Sequence, residues 1–505
     1  MEALYTAEQV RALEAAARSS TLELMDQAGR ALAHLALSLR SPEGRVLVFC
    51  GPGNNGGDGL VAARVLRHKG HRVEVVLVAD AARLPPDAAQ NHLALLSAGV
   101  VPVAPDSVSS AQPGPGDVVV DALFGTGLDR APTGALAGAI ECIQAGRARG
   151  AKVVSADLPS GIAGDTGTIH APSVQADATA VFGVLKPAHA LEPAASACGR
   201  LVRVPLPLDV PATAPVMALL AESDVRALLP VPAGIAHKGT FGHVLVVAGS
   251  PGRTGAAALS AKGALRAGAG KVTVAATRGE LDAILGFAPE VMGHALPADA
   301  EELGPQALEP LLSAAEGKDA VLLGPGIARG AGTRELLARL LPSLSIPLVL
   351  DADGLNALAG DVSILRDAGG PVVLTPHPGE MSRLVRRTTT EVQADRIGTA
   401  RDLAAASGAF VVLKGARTVI AAPDGTVRVC ASGNPGLGTA GTGDVLAGVL
   451  AALLGQGIAL LDAVCCGVWA HGLAGDLMVA ERGMRGLNAS DLFDGLGRVW
   501  ARWER

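Results

Sequence analysis

Aromatic side chains are scarce in this chain: seven phenylalanines, three tryptophans and one tyrosine among 505 residues. So few rings leave little for a base to stack on, and no basic cluster interleaves with them, so no nucleic-acid partner is expected. The formal net charge of −6 points the same way. Cysteines are few as well. Cys50, Cys142, Cys198, Cys430, Cys465 and Cys466 form no C-x-x-C pair and no zinc spacing, and most lie inside apolar runs, where they read as buried reduced thiols of a cytosolic protein. The start, Met1-Glu2-Ala3-Leu4-Tyr5, has neither a basic beginning nor an apolar core, so no secretory signal is expected and the predicted location is cytoplasmic. Val445 to Leu461 is uncharged and approaches membrane-spanning length. Asp444 and Asp462 at its ends, with Gly455 and Gly457 inside, predict a buried helix and turn instead, and no membrane partner.

Nearly half the residues are apolar and 18% are charged, which suits buried cores and is too few charges for disorder. Two glycine-rich loops that each contain an aspartate stand out: GPGNNGGDG at Gly51 to Gly59, and GLGTAGTGDVLAG at Gly436 to Gly448. Glycine lets the chain take positive φ and removes side chains that would block an anion. After the second loop the apolar run from Val445 reads as a helix whose amide-rich start faces that anion, with Asp444 placed to touch a group being transferred. The first loop satisfies G-x-G-x-x-G, follows the apolar run Val46 to Cys50, and has an acidic residue, Asp80, at about the spacing of a dinucleotide fingerprint. Asn54, Asn55 and Asp58 nevertheless crowd the place of a pyrophosphate, and a carboxylate there repels it unless a cation intervenes.

Helical patterns at Ala7 to Arg18 and Thr21 to Arg40 open the chain. Strand-like runs then alternate with helical stretches: Arg45 to Phe49, Arg72 to Val78, Asp117 to Val120, Lys152 to Ala156 and Ala178 to Phe182. Prolines cluster from Pro205 to Pro215 and again at Pro230 and Pro232. A second series runs through His243 to Ala248, Lys271 to Ala276, Ala320 to Leu323, Pro347 to Leu350, Val372 to Leu374, Phe410 to Leu413 and Thr418 to Ala421. The expected architecture is α/β, two doubly wound domains at 1–210 and 236–505, with a linker at 211–235. At the carboxyl ends of the strands, where such sheets bind ligands, stand Asp121, Asp157 and Lys186 in one half. In the other stand Asp351, Asp353, His377 and Lys414.

Taken in order, GPGNNGGDG, VDALFGTGLDR (Val120 to Arg130), ADLPSG (Ala156 to Gly161), HKGTFGHVLVVAGS (His237 to Ser250), LGPGI (Leu323 to Ile327), DADGLN (Asp351 to Asn356), TPHPGE (Thr375 to Glu380), KGART (Lys414 to Thr418) and GTGDVLAG (Gly441 to Gly448) resemble the bifunctional NAD(P)H-hydrate repair enzymes. The resemblance covers the chain apart from the linker. It implies a Rossmann-like epimerase domain followed by a ribokinase-like, ADP-dependent dehydratase domain. The implied substrates are hydrated NADH and NADPH, the implied co-substrate is ADP, and the assembly is a homo-oligomer. For the epimerase, the resemblance places Asn54, Asn55, Gly56, Gly57, Asp58 and Gly125, Thr126, Gly127, Leu128, Asp129, Arg130 and Ala131 on the hydrate. It assigns a potassium ion to Asn55, Asp121 and Ser160, and acid–base work to Asp157, since moving a hydroxyl between ring faces needs proton transfer. For the dehydratase it places Ala256, Gly326 and His377 on the hydrate. Lys414, Gly415, Ala416, Arg417, Thr418 and Gly443 go to the nucleotide, with a magnesium ion, and Asp444 is the catalytic base. Ala440 and Gly354 depart from the usual family pattern without removing a reactive side chain.

Parts of the pattern also suit other readings. GTGD also suits a ribokinase-type small-molecule kinase with an accessory domain, and G-x-G-x-x-G suits a dehydrogenase. Asn54 and Asn55 also suit a left-handed turn, and Asp121 and Asp157 suit helix caps. Lys186 is left open between the site and a solvated charge.

Overall fold

The computed structural model describes residues 1–103, 112–230, 234–297, 303–328 and 330–504. Pro232, part of the expected linker, lies outside them. The chain divides into two compact units, one of Ala3–Pro215 and one of Met1–Glu2 with Val216–Arg505.

In the smaller unit, helices α1 (Ala7–Ala16) and α2 (Thr21–Leu39) each start on a reciprocal cap, Thr6 with Gln9 and Ser20 with Glu23. Six strands follow: β1 (Val46–Cys50), β2 (Val73–Leu77), β3 (Val118–Ala122), β4 (Lys152–Ala156), β5 (Ala178–Phe182) and β6 (Arg200–Val204). Every pairing is parallel, in the order β2-β1-β3-β4-β5-β6. β1, β3 and β5 are buried along their whole length because both faces of the sheet are covered. Asp121 sits inside β3, one residue deeper than the expected strand end, and lies in register with Ser155.

In the larger unit the strands are β7 (Met217–Leu219), β8 (His243–Val247), β9 (Lys271–Thr277), β10 (Met292–Leu296), β11 (Ala320–Leu323), β12 (Leu348–Leu350), β13 (Val372–Leu374), β14 (Phe410–Leu413), β15 (Thr418–Ala421) and β16 (Val427–Cys430). They follow one another as β7-β16-β15-β14-β13-β12-β11-β8-β9-β10. From β14 to β10 the pairings are parallel, whereas β14–β15 and β15–β16 are antiparallel. The Lys414–Arg417 connection is too short for a crossover, so the chain turns back on itself there.

Part of the expected linker is structured: β7 and the helix Glu222–Leu228 belong to the larger unit. The helix matches the short helical pattern at Ser223 to Leu229 between the two proline clusters, whereas the three-residue β7 left no signal. Val445 to Leu461 also divides as expected, into helix α5 (Thr442–Gly455), a turn, and the start of α6 (Leu460–Arg482). By length and composition α6 could cross a membrane, yet two thirds of its apolar window is buried in the protein. α5 packs against α4 (Thr254–Arg266) so closely that a Cβ on Gly448 would strike the Ser260 carbonyl.

Candidate active sites

In the smaller unit, Asn54 to Asp58 form the first turns of helix α3 (Asn54–His68), reversing the left-handed-turn reading of the asparagines. Gly57 is needed for packing, since a Cβ there would meet Met25 Sδ at 2.5 Å. Asn55 donates through Nδ2 to the Phe124 carbonyl at 2.9 Å. The Gly125–Ala131 stretch follows β3, with Leu128 buried and Asp129, Arg130 and Ala131 exposed. Gly125 runs beside the Asn55 amide. Asp80, the acidic partner of the dinucleotide reading, instead caps a short turn, accepting from the Ala82 N–H at 3.0 Å.

Asp121 is fully buried and caps no helix. Its Oδ1 accepts from the Ser160 hydroxyl at 2.5 Å and the Leu123 N–H at 3.4 Å, and its Oδ2 from the Ser155 hydroxyl and the Ser160 N–H, both at 2.8 Å. Burial raises this carboxyl above its ordinary range, against the hydrogen bonds from Ser160 and Ser155. No lysine or arginine among the described residues pairs with it. A buried carboxylate that carries the Ser155 and Ser160 hydroxyls, with no protein cation beside it among the described residues, presents the oxygen donors that a hard cation takes.

Asp157 follows β4 with φ at 61°, a left-handed conformation that is uncommon outside glycine. Its N–H donates to the Ala180 carbonyl at 2.8 Å, and its own carbonyl accepts from His189 Nε2 at 2.8 Å. Oδ1 accepts from Lys186 Nζ at 2.5 Å and from the Phe182 N–H at 3.1 Å. Lys186, left open by the sequence, is 1% exposed and belongs to this cluster. His189 Nδ1 accepts from the Lys186 N–H, so Nε2 carries the proton. Burial and then the Lys186 charge push this imidazole down to about 4, so it is neutral at physiological pH. On α3, Asp58 is driven well above the ordinary carboxylate range by burial and by the charges of Asp157 and Glu14, with Lys186 opposing.

The larger unit carries its own constellation. Gly441, with φ at 90°, starts α5, and Asp444 lies in the first turn. Lys414 Nζ is 2.8 Å from Asp351 Oδ1, which also accepts from the Thr375 hydroxyl at 2.8 Å. Gly443 runs beside that ammonium. Burial raises Asp444 to about 7, helped by the charges of Asp351 and Glu380 and opposed by Lys414. Burial pulls Lys414 down, but Asp351, Glu380 and Asp444 outweigh it and hold the ammonium above its ordinary value. Glu380 is raised by burial first. Its Oε2 accepts from the His377 N–H at 2.9 Å, while His377 Nδ1 caps the helix Pro378–Val385. A cleft of about 530 Å³ opens here, with Ala256, Gly326 and Asp444 in its walls beside Arg253, Asp353 and Glu380. Gly415 to Arg417 lie in the turn between β14 and β15, held by Thr418 at the start of β15, whose hydroxyl donates to the Gly415 carbonyl at 3.1 Å.

Comparison with known proteins matches the family model described as NAD(P)H-hydrate dehydratase over residues 244–498, and that described as YjeF-related protein N-terminus over 21–188. A bifunctional NAD(P)H-hydrate repair enzyme of Moorella thermoacetica is 43% identical over 469 residues, covering 90% of this chain and 87% of the relative. That of Coxiella burnetii is 39% identical, covering 98% of each. The chain belongs to the bifunctional NAD(P)H-hydrate repair family. Among solved structures, the ADP/ATP-dependent NAD(P)H-hydrate dehydratase of Bacillus subtilis, co-crystallised with ATP and Mg²⁺, is similar at 33% identity and a TM-score of 0.50. That match covers 56% of this chain and 97% of the other. The ribokinase-like fold of the larger unit and the Rossmann-like fold of the smaller accord with this membership.

For a member of this family, sequence reasoning left four site residues without a role: His189, Glu14, Glu380 and Arg253. Glu380 stood inside TPHPGE and His189 three residues after Lys186, so both had a signal in polar residues interrupting apolar runs. Glu14 had none, because α1 approaches Asp58 only in three dimensions.

Proposed function

We propose that the chain repairs hydrated NADH and NADPH in two steps, the smaller unit interconverting the R and S hydrates and the larger unit dehydrating the S hydrate with ADP. The observation that carries this reading is a poised carboxyl in each unit: Asp157, fixed by Lys186, and Asp444, raised to about 7 beside the Lys414–Asp351 pair.

Hydroxide is a poor leaving group. In the larger unit Asp444 takes the proton of the hydrate's hydroxyl, whose oxygen attacks the terminal phosphorus of ADP while AMP departs. Phosphate then leaves the ring carbon as a proton leaves its neighbour, restoring the double bond of NAD(P)H. The amides at the start of α5 and the Lys414 ammonium steady the transferring phosphoryl. Ala256, Gly326 and His377 hold the hydrate, and Lys414 to Thr418 with Gly443 hold the nucleotide. The phosphates of the bound nucleotide would bring a magnesium ion, which when bound would supply positive charge against their oxygens.

In the smaller unit Asp157 performs the proton transfer that epimerisation requires. Asn55, Asp121 and Ser160 would hold a potassium ion, which when bound would supply the positive charge that an anionic ligand beside Asp121 needs. Asn54 to Asp58 and Gly125 to Ala131 orient the hydrate. We take the protein to be a cytoplasmic homo-oligomer.

Incubation with ADP and a mixture of hydrated NADH epimers tests the reading. Recovery of NADH absorbance from both epimers is expected. No recovery, with phosphorylation of a vitamin or sugar by ATP instead, would establish the ribokinase-type kinase.

A further inference from the structure

The two oxygens of the Asp157 carboxylate are unequal. Oδ1 takes both protein donors, the Lys186 ammonium at 2.5 Å and the Phe182 N–H at 3.1 Å, while Oδ2 takes none among the described residues. The Lys186 ammonium is itself tied at 3.0 Å to the Phe182 carbonyl, so its direction is fixed by β5. His189, three residues on, grips the Asp157 carbonyl. Pro187 opens the single turn that carries both residues, and the Lys186 N–H closes onto His189 Nδ1. One short segment therefore fixes the peptide, the side chain and the charge of a residue whose own backbone is left-handed.

We infer that Lys186 and His189 are positioning residues of the epimerase. Lys186 pins and neutralises Oδ1 so that Oδ2 alone meets the hydrate, and His189 holds the strained peptide from which the carboxylate projects. The inference rests on the reading of Asp157 as the proton-transfer group. The other charged or titratable groups that reach this cluster are Glu14 on α1, Asp58 on α3, Cys198 after β5 and Arg203 on β6. Two of them are carboxyls. Without the Lys186 ammonium Oδ1 keeps only the Phe182 N–H, and the carboxylate is held by one donor instead of two.

The test is the epimerisation rate of the separated R hydrate by the full chain carrying Lys186→Gln, Lys186→Arg, His189→Gln or Asp157→Asn, with thermal unfolding of each. Lys186→Gln should lower kcat about a hundredfold with KM little changed. Lys186→Arg, which keeps the charge and the donor, should recover part of the loss. His189→Gln should lower kcat with KM little changed. A Lys186→Gln enzyme with normal kcat, or one whose KM alone rises, overturns the inference. If Lys186→Gln does not fold, Lys186→Arg decides: lower kcat at constant KM supports positioning, and a rise in KM alone refutes it. Retained epimerisation in Asp157→Asn refutes the reading of Asp157 itself, whereas its loss beside an unaffected Lys186→Gln refutes only the inference.

Discussion

Lys414 and Asp351 are joined at 2.8 Å on the rim of the larger sheet, and their opposite charges act on Asp444 in opposite senses. Asp351 raises the Asp444 carboxyl and Lys414 lowers it, so the pair trims a shift that burial begins. As a base Asp444 works ionised. The ADP-dependent dehydration rate should therefore fall as pH drops below about 7. Lys414→Met should move that limb to higher pH, besides weakening nucleotide binding. Initial rates of NADH recovery across the pH range check both.

Asp444→Asn should abolish dehydration, by about a hundredfold or more, while epimerisation persists. It should also stabilise the fold at alkaline pH. A carboxyl raised in the folded state contributes stability that is complete below its unfolded value and lost as pH rises through its folded value of about 7. The gain at pH 8 has an upper bound of about 4 kcal/mol and vanishes near pH 3. Urea unfolding at the two pH values reads the difference.

Asp157→Asn should do the reverse of Asp444→Asn, losing epimerisation and leaving dehydration of the S hydrate intact. Chromatographic separation of the epimers measures the first activity and absorbance the second. Loss of both from either substitution would contradict independent sites.

Asp121→Asn carries a specific penalty. Oδ1 and Oδ2 each face a backbone N–H, from Leu123 and Ser160 respectively, so an amide nitrogen in either position opposes a donor. A loss of about 1–3 kcal/mol is expected in urea unfolding. Epimerisation by the wild-type chain should fall when potassium is replaced by tetramethylammonium, and the variant should lose that dependence.

Gly448→Ala should destabilise the larger unit by about 1–3 kcal/mol, since the new methyl strikes the Ser260 carbonyl of α4. A lowered Tm checks this.

Apolar runs such as Lys152–Ala156 and Ala178–Phe182 matched their strands residue for residue because buried parallel strands are written as continuous hydrophobic stretches. Arg200–Val204, Met292–Leu296 and Val427–Cys430 escaped notice, being interrupted by arginine, glycine and histidine. The motifs announced Asp157 and Asp444, yet not the charges around them. Lys186 lies 29 residues from Asp157, and Asp351 lies 63 from Lys414. Pairings over such separations come from the order of the strands, which a linear pattern does not display.

The contact at Gly448 has a wider meaning for the larger unit. α4 carries Ala256 in the wall of the cleft and α5 carries the base Asp444, and their backbones touch without side chains between them. On the proposed reading, the residue beside the hydrate and the base that takes its proton therefore stand on two helices in direct backbone contact at Gly448, a spacing set as the fold forms.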